Sequence, residues 1–149
     1  MNDYEINSKT LVIIPLSKNL SKVVEEEQEF IVNMNSTEII DHSCKYFGSS
    51  FIGRHEGAKN LIGINYKTPI IIEETRNIIF FPTCSYRLNN CYWISLEHID
   101  YYNKYKQFSK IKFKNGYELV VNISVGSLEN QILRSTRLES VIRKRRKMS

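Results

Sequence analysis

The sequence predicts an α+β fold: antiparallel β-sheets and hairpins around a central helix pair at about 36–63, and a C-terminal helix at about 127–146. Three observations carry that expectation. Between residues 64 and 123 the apolar residues come in short β-branched or aromatic runs separated by polar turns. From Ser36 to Gly63 they recur at helical spacing, broken only by Gly48-Ser49-Ser50. From Ser127 a helical period returns and runs into Arg143-Lys144-Arg145-Arg146-Lys147, a placement that suits a helix C-terminus. The 149 residues, 42% hydrophobic and 25% charged, suit a single domain over 1–149 with its own core rather than a disordered chain.

In order, residues 4–16 read as extended, with Thr10-Leu11-Val12-Ile13-Ile14 ending at Pro15. Residues 17–22 read as a loop. Glu25-Glu26-Glu27 reads as a solvated loop or a charged edge that resists unwanted pairing, and Phe30 to Met34 as a strand. Ser36 can cap a helix that starts at Thr37, with Glu38 favourable in its first turn. Ile39, Ile40, Ser43, Cys44 and Phe47 share one face, and Gly48 suits the left-handed residue after the helix. Ser49 or Ser50 then caps a second helix in which Phe51, Arg54/His55, Ala58, Leu61 and Ile62 keep the period to Gly63. Gly53 and Gly57 either weaken that helix, by about 1 kcal/mol each relative to Ala, or let another backbone approach.

Pro69 to Ile72 and Ile78 to Phe81 form a hairpin over a polar turn, stopped by Pro82. Residues 83–90 are a loop holding Arg87, Asn89 and Asn90, followed by a strand over Cys91 to Ser95. The Tyr-rich segment Ile99 to Tyr105 favours a strand. Ser109 to Lys114 alternates, Ile111 and Phe113 inward and three lysines outward. Asn115-Gly116 is a strong hairpin signal, with Tyr117 to Ile123 as the partner. Ser127 caps the last helix, whose apolar side carries Leu128, Ile132, Leu133, Leu138, Val141 and Ile142, with Arg134 and Arg137 off that side.

Charge is unevenly spread. The net charge is +5. Residues 1–35 hold three Lys against six Asp/Glu, whereas residues 134–149 hold seven Lys/Arg against one Glu. The basic end implies either an anionic partner or a solvated, frayed helix end. No apolar run approaches the roughly 20 residues of a membrane span, and Asp3 and Glu5 stand where a secretory signal would be basic, so a cytoplasmic protein is expected. Cys44, Cys84 and Cys91 lack paired CxxC spacing and fit reduced thiols, Cys44 in the core. P-loop, GxGxxG and GxSxG motifs are absent, and His42, His55 and His98 show no metal-ligand spacing. His42 and Cys44, two apart on a helix, point to different faces and make no nucleophile–base pair. No enzyme, cofactor or metal is therefore expected. What remains is basic residues interleaved with hydroxyls and aromatics: Lys45, Tyr46, Ser49, Ser50, Arg54, Lys59, Tyr66 and Lys67. They fit either a nucleic-acid surface or an ordinary polar helix face.

The run Ile39-Ile40-Asp41-His42-Ser43-Cys44-Lys45-Tyr46-Phe47-Gly48-Ser49-Ser50-Phe51-Ile52-Gly53-Arg54 resembles the signature of the ComK competence transcription factors. Lys67-Thr68-Pro69-Ile70, Phe80-Phe81-Pro82-Thr83, Cys91-Tyr92-Trp93-Ile94-Ser95 and Leu128-Glu129-Asn130-Gln131 resemble further family elements in the same order, so the likeness covers about residues 4–140. It implies an activator of DNA-uptake genes that binds paired A/T-rich boxes of double-stranded DNA, largely in the minor groove. It implies self-association, as a dimer or tetramer, and RNA polymerase as a partner. Candidate DNA-contacting residues are then Lys45, Ser49, Ser50, Arg54 and Lys59 around the helix pair, Arg87, Asn89 and Asn90 in the loop, and Arg134 and Arg137 on the last helix. Some family members continue into a distal segment that recruits a degradation adaptor. The present sequence stops at Ser149, which suggests a short form and, as an alternative function, an interaction module that pairs with and modulates a longer relative. A second resemblance, to the β core of LytTR-type DNA-binding domains, covers 68–125 and implies that loops bearing Arg87, Asn89 and Asn90 meet DNA.

Overall fold

Strands that are apolar at successive positions need cover on both faces. The computed structural model, which describes residues 1–148, supplies it with two antiparallel sheets and three helices. The larger sheet contains β1 (Thr10–Ser17), β2 (Leu20–Glu25), β3 (Glu29–Val32), β4 (Ile70–Glu73), β5 (Ile78–Pro82) and β6 (Trp93–Ser95), in the spatial order β3-β2-β1-β6-β5-β4. The smaller is a meander of β7 (Ile99–Tyr105), β8 (Phe108–Phe113) and β9 (Glu118–Val121). The helices are α1 (Ser36–Tyr46), α2 (Phe51–Ile62) and α3 (Val125–Met148). The α+β class, the helix pair and the C-terminal helix are thus as expected.

Alternation along the central strands builds two cores. Ile13, Val23, Phe80 and Trp93 face Ile39, Ile40 and Cys44 of α1. Val12, Val24, Phe81 and Ile94 face Ile111 and Phe113 of the small sheet and Leu128 of α3. Helix α2 connects the layers. Its first residue, Phe51, packs with the α1 side, while Ala58 and Ile62 pack with Ile71, Ile79, Leu138 and Ile142. It thereby covers the β4 edge, whose backbone would otherwise be open to pairing. Fully burying each large apolar side chain of this kind stabilises the fold by about 1.5–3 kcal/mol.

Several local expectations change. β1 continues through Pro15 to Ser17, with a register shift at that point, and β2 starts at Leu20. The expected loop at 17–22 is therefore a tight turn at 18–19, because Ser21 and Val23 fall on the buried face. Glu25 is buried rather than solvated. Its carboxylate accepts from the Tyr4 hydroxyl, from Asn7 Nδ2 at 3.3 Å and from Gln28 Nε2 at 3.3 Å. α3 starts two residues before Ser127, since Ser124 Oγ accepts from the Ser127 amide at 3.2 Å and supplies the cap. Leu133 is 64% exposed, and its expected place on the inner face is taken by Gln131 and Ser135. Nothing packs at Gly57, and a Cβ on Gly53 would meet only Ser50 and Ser49 hydroxyls, so neither glycine admits another backbone. β4–β6 share a sheet with β1–β3 while β7–β9 form another, so 68–125 is not a separate β core and the LytTR-type likeness gains no support. Among the described residues no helix is long and apolar enough to cross a membrane.

Candidate nucleic-acid interface

The corner between α1 and α2 is built by caps. Asn35, not Ser36, caps α1: its Oδ1 accepts from the Thr37 amide at 2.9 Å. Ser36 is instead buried and donates to the Cys91 carbonyl at 2.6 Å, while the Trp93 indole donates to Thr37 Oγ1 at 3.1 Å. These bonds fasten the start of α1 to β6. Gly48 ends α1 at φ +84°, a conformation that only glycine adopts without strain. Ser50 then caps α2 by accepting from the Gly53 amide at 3.0 Å. The Phe51 amide donates to Asp41 Oδ1 at 2.9 Å, and Asp41 also pairs with Lys45 at 2.9 Å. Burial works against the Asp41 carboxylate, but the Phe51 amide and the Lys45 ammonium outweigh it and hold its pKa low. The first donors of α2 are therefore used within the chain.

A second element docks on this corner. The loop between β5 and β6 places Tyr86 4.9 Å from the Phe51 ring and 5.4 Å from His55, and Phe51 meets Trp93 edge-on at 6.0 Å. Pairs of this geometry add about 0.5–1.5 kcal/mol beyond area burial. The Arg87 guanidinium lies over Tyr86 at 5.3 Å. Burial pushes the His55 pKa below its ordinary value, Glu56 opposes, and Lys59 and Arg87 add to the depression. An α2 cation and a loop cation thus both disfavour the charged form of one imidazole. Neither Lys59 nor Arg87 has a carboxylate within ion-pair distance among the described residues. Arg54, one turn into α2, has its Nε enclosed with no hydrogen-bond acceptor.

The family model for ComK protein matches residues 1–147. The chain belongs to the ComK family. A curated relative, the "Competence transcription factor" of Bacillus subtilis (strain 168), is 35% identical over 145 residues, spanning 94% of this chain and 75% of that protein. No solved structure matches the chain significantly.

In this ComK-family chain the ten sequence candidates separate. Lys59 of α2 and Arg87 of the loop both act on His55, Arg87, Asn89 and Asn90 are exposed, and Arg54 instead bears on the Cys44 thiol of α1. Lys45 is exposed but paired with Asp41, and Ser50 is occupied as a cap. Ser49 is half-buried at the hinge. Arg134 is tied down, donating to the Tyr66 carbonyl at 3.2 Å and to Gln131 Oε1 at 3.0 Å. Arg137 is exposed on α3. Tyr86 and His55 were not among the candidates, yet they join the loop to α2. The sequence signal was weak, an aromatic beside Arg87 and a histidine at helical spacing from Phe51. Also missed was the outer face of the small sheet, where Lys112 lies 5.7 Å over Tyr101 and Lys110 lies 5.8 Å over Tyr105. Its signal was legible: Tyr101, Asn103 and Tyr105 alternate opposite Lys110 and Lys112. The fold also brings Asp3, Glu5 and His42 together, unlike the sequence spacing of the histidines, and His42 pairs with Glu5 at 2.7 Å. That contact lies at the surface.

Proposed function

We propose that this protein is a competence transcription regulator that activates DNA-uptake genes by binding double-stranded DNA. The targets are paired A/T-rich boxes, approached largely through the minor groove by a dimer or tetramer that engages RNA polymerase. Family membership supports the regulatory role. The observation that supports the DNA surface is the α2–loop corner, where Arg87 and Lys59 both bear on His55 and, among the described residues, neither pairs with a carboxylate. A narrow A-tract minor groove concentrates negative potential and attracts such cations, while its A·T edges offer acceptors to Asn side chains. The modest net charge of +5 is adequate when several subunits add their phosphate contacts.

The test is a gel shift on paired A/T boxes against shuffled DNA, repeated across a salt series. Preferential binding to the boxes is expected, with Arg87→Ala and Lys59→Ala each lowering the log–log salt slope by about 1. Equal affinity for shuffled DNA would reject sequence-specific binding. Unchanged slopes in both variants would move the surface elsewhere.

A further inference from the structure

The exposed loop is bracketed by two thiols. β5 and β6 pair Phe80 with Ser95, Phe81 with Ile94 and Pro82 with Trp93. The Thr83 amide continues that register, donating to the Tyr92 carbonyl at 3.0 Å, and the Tyr92 amide donates to Thr83 Oγ1 at 3.1 Å. Cys84 and Cys91 are the next residues outward on the two segments. The strands themselves end at Pro82 and Trp93, so Cys84 and Cys91 lie just beyond the ladder, at the two ends of the loop. A disulfide needs close approach of this kind, with Cα atoms about 4.4–6.8 Å apart. Both side chains point to the same face, where Cys84 packs against the core cluster that contains Cys91. Cys91 Sγ already donates to the Cys84 carbonyl at 3.3 Å. Both cysteines are free thiols.

We propose that Cys84 and Cys91 are a peroxide-sensitive dithiol whose disulfide closes the loop over residues 84–91 and weakens DNA binding. Cys84 is the attacking sulfur. It is half-buried and lines an open cavity of about 240 Å³ with Thr83, Asn90 and Tyr92, whereas Cys91 is fully buried. A hydrogen bond from the Cys91 thiol outweighs burial and, with Thr83 and the nearby Lys67 ammonium, brings the Cys84 thiol down to about 7. Cys91 is pushed well up by its bond to Cys84 and by burial, so it stays protonated until called on. The Cys84 thiolate attacks hydrogen peroxide, forming S–O and breaking O–O; the departing hydroxide leaves as water once protonated. The Cys91 sulfur then attacks the Cys84 sulfenic acid, forming S–S and breaking S–O. The leaving hydroxide takes the Cys91 proton as a second water. Two thiols lose two electrons and one peroxide gains them.

Loop function follows from what the bond replaces. In the reduced protein Cys84 Sγ donates to Asn90 Oδ1 at 3.7 Å, a weak contact that helps orient the side chain next to Asn89. The disulfide removes that donor and the ionisable thiol beside Lys67, and tightens both ends of the segment that carries Tyr86 and Arg87. The consequence for DNA rests on the proposed function, whereas disulfide formation does not.

The experiment treats the full-length, reduced protein with one equivalent of hydrogen peroxide and follows intact mass, peptide maps and box-DNA affinity in parallel. The expected result is loss of two hydrogen masses, a peptide linking Cys84 to Cys91, and an affinity about tenfold lower that dithiothreitol restores. Cys84→Ser, at the half-buried position, should abolish the mass change and the peroxide effect, and Cys44→Ser should abolish neither. Oxygen added to Cys84 without a cross-link, or a cross-link between two chains, overturns the dithiol. A Cys84–Cys91 cross-link with unchanged affinity overturns the regulatory half. Should the reduced protein fail to prefer the boxes, the DNA reading fails while mass and peptide map still decide the disulfide.

Discussion

Two surfaces of this molecule join tyrosines to cations, and they are organised oppositely. On the outer face of the small sheet each lysine is already engaged: Lys110 binds Glu118 at 2.8 Å, and Lys110, Lys112 and Lys106 each lie under 6 Å from a tyrosine ring. At the α2–loop corner the aromatic rings dock one element on another, and Lys59 is left without a carboxylate. Among the described residues the Arg87 guanidinium has no carboxylate either and lies over the Tyr86 ring of its own loop. The difference is where the aromatics spend their contacts. In the sheet they serve their own cations; at the corner Tyr86 is held by Phe51 and His55, so the loop cation is positioned rather than neutralised. Composition alone would rank the two surfaces equally.

The largest expected effect breaks the docking itself. Phe51 is 5% exposed and touches Tyr86, His55 and Trp93. Phe51→Ala should lower the unfolding free energy by about 3–5 kcal/mol, read by urea titration. It should also weaken box-DNA binding more than Arg87→Ala does, because it releases the whole loop. Wild-type affinity in a folded Phe51→Ala protein would show that docking does not matter to the interface. Next comes the direct contrast between surfaces. Arg87→Ala should cost about 1 kcal/mol of DNA-binding free energy, and Lys112→Ala should leave affinity unchanged. Equal losses from both would erase the distinction drawn here.

How much of this was legible before folding depends on how local the cause was. The helix pair and its Gly48 break were readable because period and a left-handed glycine are properties of adjacent residues. The burial of Cys44 followed from the same period. The Asn35 cap was missed because Ser36 is an equally good capping residue; the choice was made by Cys91, 55 residues away, whose carbonyl takes the Ser36 hydroxyl. Gln131 was named only within the Leu128-Glu129-Asn130-Gln131 resemblance, yet it is buried, donating to the Lys67 and Pro82 carbonyls at 2.9 and 2.7 Å. Those acceptors belong to segments whose position no window of α3 encodes. Of the candidate site, Arg87 and Lys59 were nameable as cations, but that both bear on His55 is visible only in the folded chain, where Tyr86 brings the loop against α2.

His55 offers a finer measure of that convergence. Burial, Lys59 and Arg87 lower its pKa below the ordinary 6.5, against Glu56. The unfolded chain therefore binds this proton more readily than the folded one. The associated stability is fully present above 6.5 and is lost as pH falls from there through the folded value. Urea unfolding across that window should show the decline, and His55→Gln should flatten it. An NMR titration sharpens the point: Lys59→Ala and Arg87→Ala should each move the His55 midpoint upward, and an unmoved midpoint in both would place the cations apart.

The smallest effect belongs to the sheet face. The mutual hydrogen bond of Lys110 and Glu118 raises the lysine pKa and lowers that of the carboxylate, but the pair lies open to solvent on the sheet surface. Solvent screening leaves such a pair little net influence on folding. Glu118→Gln should therefore leave the melting temperature unchanged while returning the Lys110 titration toward its ordinary range. It also frees a lysine that still has Tyr105 beneath it. If free cations are what make the α2–loop corner attractive to DNA, this substitution creates a weak second site. It should raise non-specific affinity slightly at low salt, and the gain should disappear as salt increases. A gain in box-specific affinity that survives high salt would instead make the sheet face part of the reading surface, and the contrast between the two surfaces would fall.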